Sequence, residues 1–355
     1  MLYQAENPHG GDRYGRAVEL DFSVNTNPLG TPPAVRRAAA AAAGRMDRYP
    51  DPFCRELTEA MARSEGVPRE HILFGNGAAE LIFTYCAALR PRRALELAPT
   101  FSEYAAALTA WGCQVDRLPL RREEGFVPGP DLLDRLRRER YDVLFLCNPN
   151  NPTGRLMDPA LLREVLALCR ERETRLFVDE CFLDLSGGAE TGSLKPFLAQ
   201  YPGLFILKAF TKSYAMAGLR LGCGLTADGD LLTAMGRLSQ PWNVSLPAQA
   251  AGLTALEERE FLERARQLIV RERSYLRRGL ERLGLEVCPS QANYLLFYAP
   301  SPLFQPLLDR GILIRDCANY PGLGPGWYRA AVKRRRENQA LLAAIGEVLD
   351  ALDTI

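Results

Sequence analysis

Short apolar runs alternate with longer amphipathic segments through the middle of the chain. The run YDVLFLC at 141–147 is apolar at nearly every position, which is typical of a strand buried on both faces of a sheet. Further strand-length runs cover 93–98, 175–178, 204–207 and 219–225, and helical patterns cover 102–111 and 159–172. Strands that alternate with helices predict an α/β fold with a mostly parallel sheet between two layers of helices.

The pattern changes after Pro247. A long helical segment over about 248–283 precedes short strands near 294–297, 312–314 and 328–332 and a final helix over about 337–352, which predicts a smaller α+β domain. We therefore expect a large domain over 46–247, a small C-terminal domain over 248–355, and an N-terminal arm over 1–45 that forms part of the small domain.

Composition narrows the class of protein further. A chain of 355 residues is too long for one ordinary core, and its net charge of +1 gives no general argument for a nucleic acid or membrane partner. We expect no signal peptide and no membrane span. Nine cysteines without a C-x-x-C pair favour a reducing cytoplasm, and two distant histidines argue against a zinc site.

Polar residues follow the predicted strands at the points where the strands end. Asn151 follows the 141–147 strand, Asp179 ends the next strand, and Lys212 follows the strand after that. A turn at 75–80, GNGAAE, opens a helix. Each feature alone has a structural explanation, such as a solvated lysine or a capping acid. Because ligands bind beyond the carboxyl ends of parallel strands, the features together indicate one binding site.

Pyridoxal 5′-phosphate would use all of these groups. Its aldehyde needs an amine for a Schiff base, which Lys212 offers, and its ring nitrogen needs a buried acid, which Asp179 offers. Asn151 can donate a hydrogen bond to the phenolic oxygen. The remaining candidates would hold the phosphate or stack on the ring, and they are the helix-opening residues Gly77, Ala78 and Ala79, the neighbours Thr211 and Arg220, and Phe101.

Three segments then point to a family. NPNNPTG, VDECF and FTKSYAMAGLRLG, in that order, resemble the aspartate aminotransferase superfamily of fold type I pyridoxal phosphate enzymes, and the resemblance covers nearly the whole chain. It implies the roles given above and a homodimer with active sites at the subunit interface. It also implies that Tyr49 reaches the cofactor phosphate of the neighbouring subunit. Phe182 departs from the family, where many members have a tyrosine that contacts the phenolic oxygen.

Two branches of that superfamily compete. HGG at 9–11, DFS at 21–23, NPLG at 27–30 and ILIRDCANYPGL at 312–323 resemble the threonine-phosphate decarboxylases more than the histidinol-phosphate aminotransferases. The first resemblance implies decarboxylation of L-threonine O-3-phosphate to (R)-1-amino-2-propanol O-2-phosphate, a step of cobalamin biosynthesis. It implies Arg329 as the anchor of the α-carboxylate and Arg315 as the anchor of the substrate phosphate, with His9 and Asn27 beside them. The alternative is amino transfer to 2-oxoglutarate.

Two other classes fit less well. A dinucleotide-binding oxidoreductase needs G-x-G-x-x-G, and GNGAAE lacks the third glycine. A regulator that kept the fold without catalysis has no reason to retain Lys212. We therefore expect an enzyme whose partners are a small phosphorylated amino acid and a second copy of the chain.

Overall fold

A computed structural model describes residues 9–187 and 192–353. The described strands are β1 (Leu20–Asp21), β2 (Ile72–Gly75), β3 (Arg93–Ala98), β4 (Gln114–Pro119), β5 (Val143–Cys147), β6 (Arg175–Asp179), β7 (Leu204–Ala209), β8 (Gly222–Leu225), β9 (Glu286–Val287), β10 (Tyr294–Tyr298), β11 (Ile312–Leu313), β12 (Arg315–Asp316) and β13 (Trp327–Ala331). The described helices are α1 (Pro33–Ala43), α2 (Arg55–Glu65), α3 (Ala78–Leu89), α4 (Glu103–Thr109), α5 (Pro130–Arg138), α6 (Pro159–Glu171), α7 (Phe210–Ser213), α8 (Gly229–Leu238), α9 (Leu246–Glu257), α10 (Arg259–Arg282), α11 (Phe304–Leu308) and α12 (Arg335–Asp353).

A seven-stranded sheet forms the centre of the large part of the molecule. Its strands lie in the order β2, β8, β7, β6, β5, β3, β4. Strand β8 runs antiparallel to both neighbours, and every other pair is parallel. The prediction of an α/β fold on a mostly parallel sheet is therefore confirmed.

The apolar runs in the sequence arise because the inner strands are covered on both faces. In β5, Leu144 and Leu146 pack into the core on one face of the sheet, and Phe145 packs into the core on the other. Phe145 stacks on Phe177 of β6, and Phe177 stacks on Phe205 of β7, with ring centroids 4.5 and 5.1 Å apart. Burial on both sides leaves no position in β5 for a polar side chain.

A second sheet of four antiparallel strands, in the order β12, β13, β10, β9, carries the C-terminal part of the chain. It shares a separate apolar core with α10 and α12, which includes Leu276, Leu295 and Leu341. The N-terminal segment joins this part, because Leu20 of β1 pairs in parallel with Ile312 of β11. The domain boundaries drawn from the sequence stay predictions.

The helical pattern over 248–283 is divided into two helices, which the sequence did not predict. The break lies at Glu258, whose φ of −86° and ψ of 48° are not helical. Helix α9 packs against α1 and α2, whereas α10 packs against α12, so the two helices need different directions. Neither glycine nor proline marks the change. Within the described residues, no helix combines the length and the apolar character needed to cross a bilayer.

Candidate active site

A cavity of about 300 Å³ opens at the carboxyl ends of β5, β6 and β7. Its lining comes from the large sheet, from the N-terminal segment and from the C-terminal sheet. Eleven of the residues predicted for the site line it, and they are His9, Ala78, Ala79, Phe101, Asn151, Asp179, Thr211, Lys212, Arg220, Arg315 and Arg329. Groups that are far apart in sequence thus share one space, as the strand-end argument predicts.

Lys212 is the amine of the cavity. It lies in the single turn of α7, which begins at Phe210, directly after β7 ends at Ala209. Burial lowers its pKa to about 8, and the nearby Arg329 and Arg220 add to the lowering by repelling a positive charge. Its Nζ lies 5.5 Å from the ring centroid of Phe182. A neutral amine is therefore accessible near physiological pH.

Asp179 is the acid of the cavity, and it is 6% exposed. Its Oδ1 accepts a hydrogen bond of 2.9 Å from the backbone N–H of Cys181, and its Oδ2 accepts one of 2.6 Å from the hydroxyl of Tyr104. Burial raises the pKa of Asp179, although both hydrogen bonds and the charge of Lys212 oppose the rise. A positively charged group that enters the cavity would therefore stabilise the ionised form of Asp179.

The first turn of α3 supplies backbone N–H groups to the same cavity. Gly77 precedes the helix as its N-cap residue with a φ of +81°, and it has no side chain that could cap the first turn. Ala78 and Ala79, the first two helical residues, line the cavity. A Cβ placed on Gly77 would lie 2.5 Å from Nη2 of Arg220, so a guanidinium sits against this helix end. Backbone N–H groups at the start of a helix, beside an arginine, suit the binding of an anion.

Two arginines on neighbouring strands of the small sheet face the cavity. Arg315 of β12 and Arg329 of β13 are paired in the antiparallel register. Arg329 donates to Oδ1 of Asn151 and, over 2.9 Å, to the backbone carbonyl of Ser23. Its Nε is buried without an acceptor among the described residues. Arg315 donates to Oδ1 of Asn319 over 2.7 Å. Two guanidinium groups in one pocket suit a substrate with two anionic groups.

His9 lies at the edge of the cavity in the N-terminal segment. Its Nε2 lies 2.9 Å from Oε1 of Glu103, and its ring centroid lies 6.0 Å from that of Phe101. The segment is attached to the site through Ser23, whose hydroxyl accepts a 2.7 Å hydrogen bond from the backbone N–H of Gly11. The arm therefore contacts the same groups that line the pocket.

Three predicted residues lie outside the cavity lining. Gly77 immediately precedes Ala78, which does line the cavity. Asn27 is 2% exposed and donates to the carbonyl of Ser213 over 2.8 Å, so it supports the turn that carries Lys212. Tyr49 is 77% exposed and stacks on Trp242 with 4.4 Å between the ring centroids. The binding roles of these three residues stay predictions.

The sequence did not point to several residues that the cavity brings together. Ser23, Glu103 and Tyr320 line the cavity. Tyr104 is not in the lining, but its hydroxyl donates to Asp179, a contact that forms only once α4 is packed on the sheet. Each of the four lies two to five residues from a predicted residue. Their closeness in sequence to predicted residues was the signal that the sequence offered, but it does not indicate which side chains point into the cavity.

Comparison with known proteins agrees with this geometry. The sequence model of the family "Aminotransferase class I and II" matches residues 17–345. The chain is 40% identical to a threonine-phosphate decarboxylase of Salmonella typhimurium over 94% of this chain and 92% of that protein. It is 34% identical to a histidinol-phosphate aminotransferase of an Anaeromyxobacter species over 95% and 93% of the two chains.

Solved structures give the same result for the fold. The histidinol-phosphate aminotransferase of Clostridium acetobutylicum superposes with a TM-score of 0.86 at 28% identity, and the match covers 94% of this chain and 99% of that one. The fold is that of fold type I pyridoxal phosphate enzymes, as the resemblance in the sequence implied. The chain belongs to the aminotransferase class I and II family.

Proposed function

We propose that this protein is a pyridoxal phosphate-dependent decarboxylase of L-threonine O-3-phosphate that forms (R)-1-amino-2-propanol O-2-phosphate for cobalamin biosynthesis. The observation that carries the proposal is the placement of Arg315 and Arg329 in the cavity that also holds Lys212 and Asp179. The substrate has a carboxylate and a phosphate, and each arginine can bind one of them in a bidentate manner. The 40% identity to a threonine-phosphate decarboxylase supports the same substrate.

The residues of the cavity fit the proposed cofactor. Lys212 would bind its aldehyde carbon, and Asp179, deep in the pocket with a raised pKa, would pair with its ring N–H. The uncapped first turn of α3 and Arg220 would hold its phosphate, with Thr211 beside them. Asn151 would donate to the phenolic oxygen through its amide nitrogen, because its Oδ1 accepts from Arg329. The bound cofactor withdraws electrons from a bond at the substrate α-carbon.

The arginines would decide which bond at the α-carbon breaks. We assign the α-carboxylate to Arg329, which has a buried Nε without an acceptor among the described residues. The substrate phosphate is assigned to Arg315, with His9 beside it. Held at both ends, the substrate would present the bond to the carboxylate carbon perpendicular to the ring of the cofactor. That bond would then break in preference to the C–H bond.

Lys212 is also the group that would return a proton to the α-carbon after carbon dioxide leaves. Its pKa of about 8 lets it exchange protons near neutral pH. An amine with the ordinary lysine pKa of 10.5 would stay charged at neutral pH and would give up its proton to the α-carbon more slowly. Burial and the two nearby arginines therefore contribute to both proposed roles of this residue.

Two assays on the same preparation test the reaction. Incubation with L-threonine O-3-phosphate should release carbon dioxide and aminopropanol phosphate in equal amounts. Incubation with histidinol phosphate and 2-oxoglutarate should yield no glutamate. Glutamate without carbon dioxide would instead identify the histidinol-phosphate aminotransferase activity of the relative that is 34% identical.

A substitution of Lys212 tests the cofactor. The purified protein should show an absorbance band near the edge of the visible range, and Lys212→Ala should abolish it. Lys208→Ala offers a control, since Lys208 is a mostly buried lysine on the preceding strand that pairs with Glu65 over 2.8 Å and with Asp184 over 3.2 Å. It should keep the band where the variant folds. A band that survives in Lys212→Ala would refute the assignment.

We also propose a homodimer in the cytoplasm. Large apolar side chains stand exposed near the end of α1 and beside α9, and they are Met46, Tyr49, Phe53 and Trp242. A second subunit would cover them and would bring Tyr49 to the neighbouring cofactor phosphate. All nine cysteines are unpaired and buried, which suits a reducing compartment. Light scattering during gel filtration should give twice the chain mass of 39.5 kDa.

A further inference from the structure

A second cavity, of about 400 Å³, lies at the opposite edge of the large sheet from the active site. It borders the starts of the parallel strands β3, β5 and β6, whereas the active site borders their ends. Five arginines line it, and they are Arg90, Arg92, Arg140, Arg172 and Arg175. The two cavities have no lining residue in common.

Positive charge exceeds negative charge around this second cavity. Asp142 and Glu173 are the carboxylates that line it. Asp142 is already engaged, because its Oδ2 accepts the backbone N–H groups of Arg92 and Arg93 over 2.6 and 2.9 Å. Outside the lining, Asp228 pairs with Nη2 of Arg175 over 2.7 Å. Three carboxylates therefore accompany five arginines, and one of the three accepts hydrogen bonds from backbone N–H groups. The Arg90 guanidinium also lies over the ring of Trp111.

Two guanidinium N–H donors, which belong to arginines that line this cavity, lack acceptors. Nε of Arg172 and Nη1 of Arg175 are both buried, and neither has a hydrogen-bond partner among the described residues. Buried donors are normally satisfied, and an unsatisfied charged donor is costly. Thr174, between these arginines, is fixed by a 3.0 Å hydrogen bond from its hydroxyl to the carbonyl of Tyr141. The two donors thus stand on a firmly held segment.

We propose that this cavity binds a small phosphate-bearing anion. Planar guanidinium groups match the oxygens of a phosphate, and several of them around a recess can hold a doubly charged anion. A recess favours a small molecule over the extended backbone of a nucleic acid. This proposal is independent of the proposed decarboxylation, because none of the residues that line the second cavity lines the active site.

Calorimetric titration of the cofactor-loaded protein with inorganic phosphate tests the proposal. Ionic strength is held constant with sodium chloride, so that general charge screening is equal throughout. The double variant Arg140→Gln/Arg172→Gln removes two of the cations and one of the two unsatisfied donors. We expect it to bind phosphate at this site at least tenfold more weakly. Arg278→Gln, an exposed arginine of α10 far along the chain, makes a matched control that should bind like the unaltered protein.

Phosphate can also enter the active site, so the same titration is repeated in an Arg315→Gln background. Phosphate binding that persists there and disappears when Arg140 and Arg172 are also replaced would support the second site. Binding that disappears with Arg315→Gln alone would overturn it, as would wild-type affinity in the double variant. Arg140→Gln alone, in an exposed connection, provides a mild variant if the double variant does not fold. Decarboxylation without added phosphate should be unchanged in Arg140→Gln and in Arg140→Gln/Arg172→Gln, because Arg315 is intact in both. An unaltered protein that does not decarboxylate the substrate would contradict only the proposed reaction, and a loss of phosphate binding would contradict only the second site.

Discussion

Alanine at position 77 would disturb the proposed phosphate site by a single methyl group. Gly77 has a φ of +81° and a ψ of 163°, a region that is essentially restricted to glycine. The added Cβ would lie 2.5 Å from Nη2 and 3.0 Å from Cζ of Arg220. Gly77→Ala must therefore strain the backbone, at about 1–3 kcal/mol, and must also displace the guanidinium.

The displacement sets the expected loss of cofactor affinity. A hydrogen bond to a charged group contributes about 1.5–3 kcal/mol. Losing one such bond from Arg220 to the cofactor phosphate corresponds to a rise in Kd of about 10-fold to 150-fold. The assay is a titration of the cofactor-free protein with pyridoxal phosphate, followed by absorbance. Thermal denaturation of the same samples reports the cost to stability.

Gly112→Ala is the matched control. Gly112 also has a positive φ, +74°, but a Cβ there would meet no atom within 4 Å. It should reduce stability by about 1–2 kcal/mol through the backbone alone and leave the Kd for the cofactor unchanged. Wild-type affinity in Gly77→Ala would refute the placement of the phosphate against Arg220. An equal loss of affinity in both variants would refute it as well, because the effect would then be general.

Two more predictions concern Asp179 and Lys212. Tyr104→Phe should lower the free energy of unfolding by about 1.5–3 kcal/mol, because it removes a 2.6 Å hydrogen bond to Asp179. Tyr85→Phe is the control, because it removes a buried hydroxyl that has no partner among the described residues, and it should leave the free energy of unfolding unchanged. Thermal denaturation compares the two, and equal losses would contradict the reasoning. The rate at which the cofactor-free protein takes up pyridoxal phosphate should rise with pH and reach half its maximum near pH 8. The reacting amine must be neutral, and burial lowers the pKa of Lys212 to about 8. In Arg329→Gln the midpoint should move upward, since one repelling cation is removed, and a midpoint near the ordinary lysine pKa of 10.5 in the unaltered protein would contradict the assignment.

The arrangement of the large sheet was predictable because its inner strands are buried on both faces. Such strands must be apolar throughout, and polar residues can appear only where the strands end. Asp179 ends β6, and Lys212 follows β7 by three residues. Parallel strands then bring these ends together, so the sequence order of Asn151, Asp179 and Lys212 already implied one site.

The contacts made by side chains from separate helices were not predictable in the same way. The hydroxyl of Tyr104 reaches Asp179 across 75 residues of sequence, and only the packing of α4 decides that it does so. The break between α9 and α10 at Glu258 was also not predictable from local sequence, because the helices that pack against α9 and α10 lie elsewhere in the chain. The proposed role of Tyr49 would depend on a second subunit, and the contacts within one chain do not test it.

The proposed cofactor groups and the proposed substrate groups come from different stretches of the chain. Lys212, Asp179 and Arg220 belong to the large sheet and its connections, whereas Arg315 and Arg329 belong to the small sheet. Arg329 joins the two stretches, since it bonds to Asn151 on one side and to the carbonyl of Ser23 on the other. A family can therefore keep one set of cofactor contacts while the small sheet and the N-terminal segment change the substrate. Under the proposed function, this separation would explain why the chain is similar both to a threonine-phosphate decarboxylase and to a histidinol-phosphate aminotransferase. The choice between the two reactions would then lie in the residues around Arg315 and His9.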